Sequence, residues 1–232
     1  MKKTLLMTFK RVSHNILRNI TANRNRGRTI KKFSKKIGLV YFGAVNQHTD
    51  EHQVVRGFTA SSTHHDYHYC VGSIDGYDIT IVDRDDASSS VDGSIKFNNW
   101  LVLSFKLQTH QDVPHVFVNA NNHDTHAYSN IFAIYPALGQ INFGTFEQYD
   151  IEFTSRFKVY SLLTDSIMIE RLLPANATRV LGAHFWPYSA ELNEGYLYVY
   201  CDANNISSST LDAMFEGGLW LARYIDSRIE LI

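Results

Sequence analysis

Two cysteines and four prolines in 232 residues set the first limits. A disulfide scaffold needs more thiols. Cys70 and Cys201, 131 positions apart, are therefore expected as reduced, buried thiols of a cytoplasmic protein, although spacing alone leaves a bridge between them open. Scarce proline, with abundant Tyr, Phe, Val and Ile, points to a folded domain rich in strand. No stretch approaches the ~18 apolar residues of a membrane-spanning helix. The opening Met1–Phe9 imitates a signal peptide, but its apolar part stops at Lys10-Arg11 after about six residues, short of the roughly 7–15 of a secretory core. Low serine content and two early lysines count against an organelle transit peptide. The nucleotide-binding patterns G-x-G-x-x-G and the P-loop are missing, as are G-x-S-x-G, H-E-x-x-H and paired C-x-x-C. The sequence thus offers no template for a reaction.

Negative charge is the most unevenly missing property. Residues 1–36 hold 12 of the 22 Lys and Arg residues and no Asp or Glu; residues 37–232 hold the other 10 and all 23 acids. The arm carries +12 and the body −13, hidden behind a formal net charge of −1. The sequence reads as a basic arm, 1–36, ahead of one domain, 37–232.

On a helical wheel of residues 3–20, Leu5, Phe9, Val12, Ile16 and Ile20 fall within an arc of about 80°, widened by Leu6 and Leu17. Lys3, Lys10, Arg11, His14 and Arg18 lie on the other side. Thr21-Ala22-Asn23 and Gly27 are expected to end this helix, and a second is expected over about 29–36 with Gly38 as its stop. Three partners suit the arm: an anionic membrane surface, nucleic-acid phosphate, or the protein's own sheet. Nucleic acid ranks last, because the arm offers only Phe9 and Phe33 as stacking platforms and the body behind it is acidic.

In the body, strands are expected at Ile37–Val45, Val54–Ala60, Asp66–Ser73, Tyr77–Arg84, Trp100–Gln108, Val113–Ala120 and Phe153–Ser161. His184–Ser189 and Gly195–Cys201 read as a closing hairpin. Helices are expected at Ser166–Leu173, capped by Asp165, at Ala175–Leu181 after Pro174, and at Leu211–Ile225. The order gives an α+β domain with a largely antiparallel sheet. Asp75-Gly76 makes a two-residue hairpin turn, which sets Ile74 opposite Tyr77, Gly72 opposite Ile79, Cys70 opposite Ile81 and His68 opposite Asp83. Asp85–Gly93 reads as a polar loop, and Trp100, Trp186 and Trp220 as core.

Nine of the eleven histidines lie between His48 and His126. On a strand, His64, Asp66, His68 and Cys70 would point the same way, with Asp83 opposite His68. All are metal-ligand types, so one reading is a mononuclear zinc or iron site of a metal-dependent enzyme, completed by His110, His115, His123 or His126. The competing reading is a hydrogen-bonded His68–Asp83 pair among solvated histidines, with no cofactor. A third is pH sensing by the histidines.

Several C-terminal segments resemble a bacterial family of unknown function whose members often carry membrane segments ahead of a cytoplasmic domain. They are Phe153, Phe157-Lys158-Val159-Tyr160-Ser161, Asp165, Leu172-Leu173-Pro174 and Gly195-Tyr196-Leu197-Tyr198. The resemblance spans about 153–200. It implies a strand, a short helix ending near Leu-Leu-Pro and a Gly-led strand, in a protein near a membrane, and it carries over no catalytic residue. Together these features favour a non-enzymatic binding or scaffold domain, cytoplasmic and peripheral to an anionic membrane surface. Lys3, Leu5, Phe9, Lys10, Arg11, Val12, Ile16 and Arg18 would form its membrane or anionic-partner face.

Overall fold

The computed structural model describes residues 25–44, 57, 59, 64–89, 95–121, 135–146, 148–202 and 206–231. Nine strands form one open sheet: β1 (Val40–Ala44), β2 (His65–Ile74), β3 (Tyr77–Ser89), β4 (Ile95–Lys106), β5 (Val116–Ala120), β6 (Gly139–Ile141), β7 (Phe157–Ser161), β8 (Ser189–Asn193) and β9 (Tyr196–Asp202). Their order is β1-β2-β3-β4-β9-β8-β5-β7-β6, with antiparallel pairing throughout. Among the described residues five α-helices accompany it: α1 (25–37), α2 (Ile151–Arg156), α3 (Ser166–Leu172), α4 (Ala175–Val180) and α5 (Ser208–Ile229). The fold is α+β with a largely antiparallel sheet, as expected.

Alternation along the strands builds two cores. Leu101, Leu103 and Phe105 of β4, with Leu197, Val199 and Cys201 of β9, face the helices. Trp100, Val102, Tyr198 and Tyr200 face the opposite way, joined by Tyr69, Val82, Phe117 and Leu138. Central strands buried on both faces lose polar alternation, as Trp100–Lys106 does. Asp75 and Gly76 both have positive φ, 52° and 84°, and Glu194-Gly195 repeats the device at 49° and 75°. Two consecutive positive φ values match the right-handed twist of the hairpin strands. Ser207 caps α5, its hydroxyl accepting from the Thr210 amide at 3.0 Å.

Several boundaries differ from expectation. Gly27 does not end a helix; it lies inside α1, which stops at Gly38, where φ is 84° and the Leu39 amide donates back to the Ser34 carbonyl at 2.8 Å. The first strand consequently starts at Val40, not Ile37. β3 runs on to Ser89 through the segment expected to be a loop. Residues 151–156 are helical rather than extended, because Asp150 caps them by accepting from the Glu152 amide at 2.7 Å. The hairpin partner of β9 begins at Ser189, since Leu181–Phe185 form a π-helical turn. Trp186 is 45% exposed and lies against the Arg156 guanidinium rather than in the core. The expected strand Val54–Ala60 lies largely outside the described residues; within it, Gly57 is a bend and Thr59 a turn.

Candidate functional site: a basic ridge beside a bulged strand

The β2–β3 hairpin keeps the expected register from its turn up to Cys70, which faces Ile81. There the register slips by one residue, and Tyr67, not His68, faces Asp83. His68 is the cause: it adopts φ 53°, and the strand bulges around it. A one-residue slip turns every preceding side chain to the other face. Asp66 therefore pairs with Arg84 on the tyrosine-rich face, while Cys70 stays on the helix-covered face. The row His64, Asp66, His68 and Cys70 is split, and among the described residues no three His, Cys, Asp or Glu side chains are grouped to hold a metal ion.

Each of these residues has its own surroundings. Asp83, with no side-chain exposure, accepts from Arg26 of α1, Nε to Oδ2 at 2.9 Å and Nη2 to Oδ1 at 2.5 Å. Burial pushes its carboxyl up to about 6, against the pull of the Arg26 guanidinium. Arg84 is fully buried and donates to both Asp66 oxygens, at 2.6 and 2.8 Å, and to Thr59 Oγ1 at 2.9 Å. His68 Nδ1 lies 2.8 Å from the Tyr41 hydroxyl. Its ring also rests on the α1 backbone, so that a Cβ at Gly27 would sit 2.4 Å from it. Burial pushes the Cys70 and Cys201 thiols up to about 12. Two strands separate these cysteines, which puts them roughly 14 Å apart at the usual strand spacing, beyond disulfide reach. His64 is half-buried just ahead of β2, and His110 is exposed; His123 and His126 lie outside the described residues.

Sequence reasoning missed Arg84 and the chain of groups centred on Glu191. Glu191 has no exposed side chain. It accepts from Tyr200 at 2.7 Å, and its other oxygen lies 2.8 Å from His115 Nε2. The His115 ring meets Tyr135 edge-on at 4.5 Å. Burial, with Glu191 and Glu194 nearby, pushes the Tyr135 hydroxyl up to about 12. The signal for Arg84 was present: consecutive Asp83 and Arg84 in a strand buried on both faces must each find an opposite charge on their own side.

The arm is described from residue 25 onward. Ile30 and Phe33 are buried in the helix-side core, Phe33 meeting Phe215 of α5 at 6.0 Å, and Lys36 pairs with Asp212 at 2.6 Å. At 100° per residue, Arg26, Gly27, Ile30, Phe33, Ser34 and Ile37 fall in the docked arc. Arg28, Lys31, Lys32 and Lys35 fall in the opposite arc, and all four are exposed. Lys31 lies over the Tyr41 ring at 5.5 Å, and none of the four forms an ion pair with a described carboxylate. Edge strand β1 exposes Val40 at 57% and Phe42 at 54%, Phe42 lying against Tyr69 on the tyrosine-rich face, away from α1. The expected partner face Lys3, Leu5, Phe9, Lys10, Arg11, Val12, Ile16 and Arg18 lies outside the described residues.

These features define an open antiparallel α+β sheet with helices packed on one face, including a basic one. No family model and no curated protein matches the chain. Among solved structures it is similar to the mycobacterial trehalose monomycolate transport factor A, TtfA, at 13% sequence identity and a TM-score of 0.57; the match covers 90% of this chain and 97% of that one. The likeness is one of fold, over nearly the full length of both chains. The elements behind the bacterial-family resemblance are also in place: β7, α3 ending just before Leu173-Pro174, and β9 led by Gly195. No helix among the described residues is long and apolar enough to cross a membrane.

Proposed function

We propose that the protein is a non-enzymatic binding or scaffold domain that rests on an anionic membrane surface through α1. The observation that carries this reading is the division of α1 into a docked apolar face and an exposed basic ridge of Arg28, Lys31, Lys32 and Lys35 that forms no ion pair with a described carboxylate. A docked helix holds its charges at fixed positions, so presenting them costs little side-chain order beyond the rotamers. Each cation near an anionic leaflet contributes about 1 kcal/mol, so four give about 4 kcal/mol at low salt. That suffices for reversible recruitment and is weakened by salt. The expected amphipathic segment 3–20 precedes α1 in the sequence and would add further basic and apolar contacts. The similar structure is that of a transport factor for trehalose monomycolate, which agrees with a role beside lipid for this fold. The division into arm and body follows the same logic: 1–36 addresses the surface, and the sheet carries what is recruited.

Flotation of the full chain with vesicles tests the reading. Binding is expected to vesicles containing phosphatidylserine at low salt, to weaken as salt rises, and to be absent with purely zwitterionic vesicles. Equal recovery with both vesicle types, or no flotation with either, contradicts it.

A further inference from the structure

A separate cleft opens between α3, the end of α5 and the loop before α2. Its volume is about 190 Å³, and Phe146, Tyr149, Glu170, Arg171, Pro174 and Arg228 line it. That is room for about six waters. It falls below the ~300–1,000 Å³ of drug-sized sites and so limits any occupant to a small organic ion.

The charges in the cleft are mismatched by burial. Glu170 is only 4% exposed, and its oxygens accept from the backbone amides of Thr145 and Phe146, both at 3.3 Å. These bonds are long for N–H···O contacts. No described Lys, Arg or His forms an ion pair with it. A carboxylate whose described partners are two long backbone hydrogen bonds keeps acceptor capacity that an ammonium reaching into the cleft would fill. Arg228 Nε donates to the Arg171 carbonyl at 2.9 Å, which ties these two lining residues together, and Arg171 is exposed. Neither guanidinium is paired with a described carboxylate. Phe146, 57% exposed, and Tyr149 supply an apolar wall.

We infer that the cleft binds a small zwitterion: a primary ammonium donates to Glu170, and an anionic group one short methylene spacer away accepts from Arg171 and Arg228. The recognised chemistry is shared by free amino acids and by a phosphoethanolamine headgroup. A purely anionic ligand would leave Glu170 without an ammonium partner, and a purely cationic one would meet the two arginines that line the cleft.

Calorimetric titration of the full chain tests this, with phosphoethanolamine and β-alanine as probes and ethyl phosphate as the control that lacks the ammonium. At least one zwitterion is expected to bind, and ethyl phosphate to bind at least about tenfold more weakly. Glu170→Gln should erase that preference, while Arg171→Gln should weaken both classes of ligand. Thermal unfolding of Glu170→Gln checks the fold and is expected to match or exceed that of the unsubstituted protein, because the variant removes a buried charge. Competition by phosphatidylethanolamine vesicles would assign the site to a lipid headgroup, and competition by β-alanine alone to a soluble amino acid. The inference is overturned if neither zwitterion binds, if ethyl phosphate binds as tightly, or if folded Glu170→Gln keeps the preference.

Discussion

Arg26 and Asp83, 57 positions apart, are joined by two hydrogen bonds of 2.9 and 2.5 Å. The pair ties the basic helix to the third strand of an acidic body. It takes up one of the arm's cations at the centre of the contact and leaves the ridge on the far side without an ion pair to a described carboxylate.

Breaking this pair from one side should be costly. Arg26→Met leaves a carboxylate with no side-chain exposure unpaired, and a loss of about 3–5 kcal/mol is expected. The double substitution Arg26→Met with Asp83→Leu should recover most or all of that loss. Urea unfolding midpoints of the two variants check the expectation.

The raised carboxyl of Asp83 sets the sign of a pH effect. Its folded pKa of about 6 lies above the ordinary value of 3.8. The group therefore contributes stability that is fully present below about 4 and is lost as pH rises through about 6. The difference amounts to about 2–3 kcal/mol in order of magnitude. Asp83→Asn should flatten this part of the stability profile between about pH 4 and 6, measured by denaturant titrations across that range.

Gly27 and His68 should be coupled. Gly27→Ala improves helix propensity by about 1 kcal/mol, yet its Cβ would sit 2.4 Å from the His68 ring, which the Tyr41 hydroxyl holds in place. A net loss of about 1–2 kcal/mol is expected. His68→Gly should reverse it, by vacating the ring and relaxing the positive φ at that position. A thermal double-mutant cycle reads the coupling.

The thiols should be inert in the native protein. Burial holds Cys70 and Cys201 near 12, so thiolate is scarce at pH 8. Labelling by a disulfide reagent should be slow and should accelerate with denaturant in step with unfolding.

Much of the fold was legible because it is local. Runs of β-branched and aromatic residues bounded by turn signals located β2, β4, β5 and β9, and the Asp75-Gly76 turn fixed the register of a hairpin correctly as far as Cys70. That register failed at His68, because nothing in the neighbouring residues announces a bulge. The bulge is held from outside the hairpin, by Gly27 and Tyr41. The metal-site reading rested on that one residue of register. The arm was legible in part: Gly38 marked its end, but Gly27 was mistaken for a stop, when its missing side chain is what lets the His68 ring approach. The Glu170 cleft left no sequence pattern, since Phe146, Glu170 and Arg228 meet only through the packing of α3 against α5.

The most direct test of the account is flotation of a full-length Arg28→Glu, Lys32→Glu, Lys35→Glu variant with phosphatidylserine vesicles at low salt. These side chains are exposed and form no ion pair with a described carboxylate, so the circular dichroism spectrum and the unfolding midpoint should be preserved. Three reversals should lower vesicle affinity by at least about a hundredfold. A folded variant that floats as well as the unsubstituted protein would contradict the claim that α1 presents the membrane-binding surface.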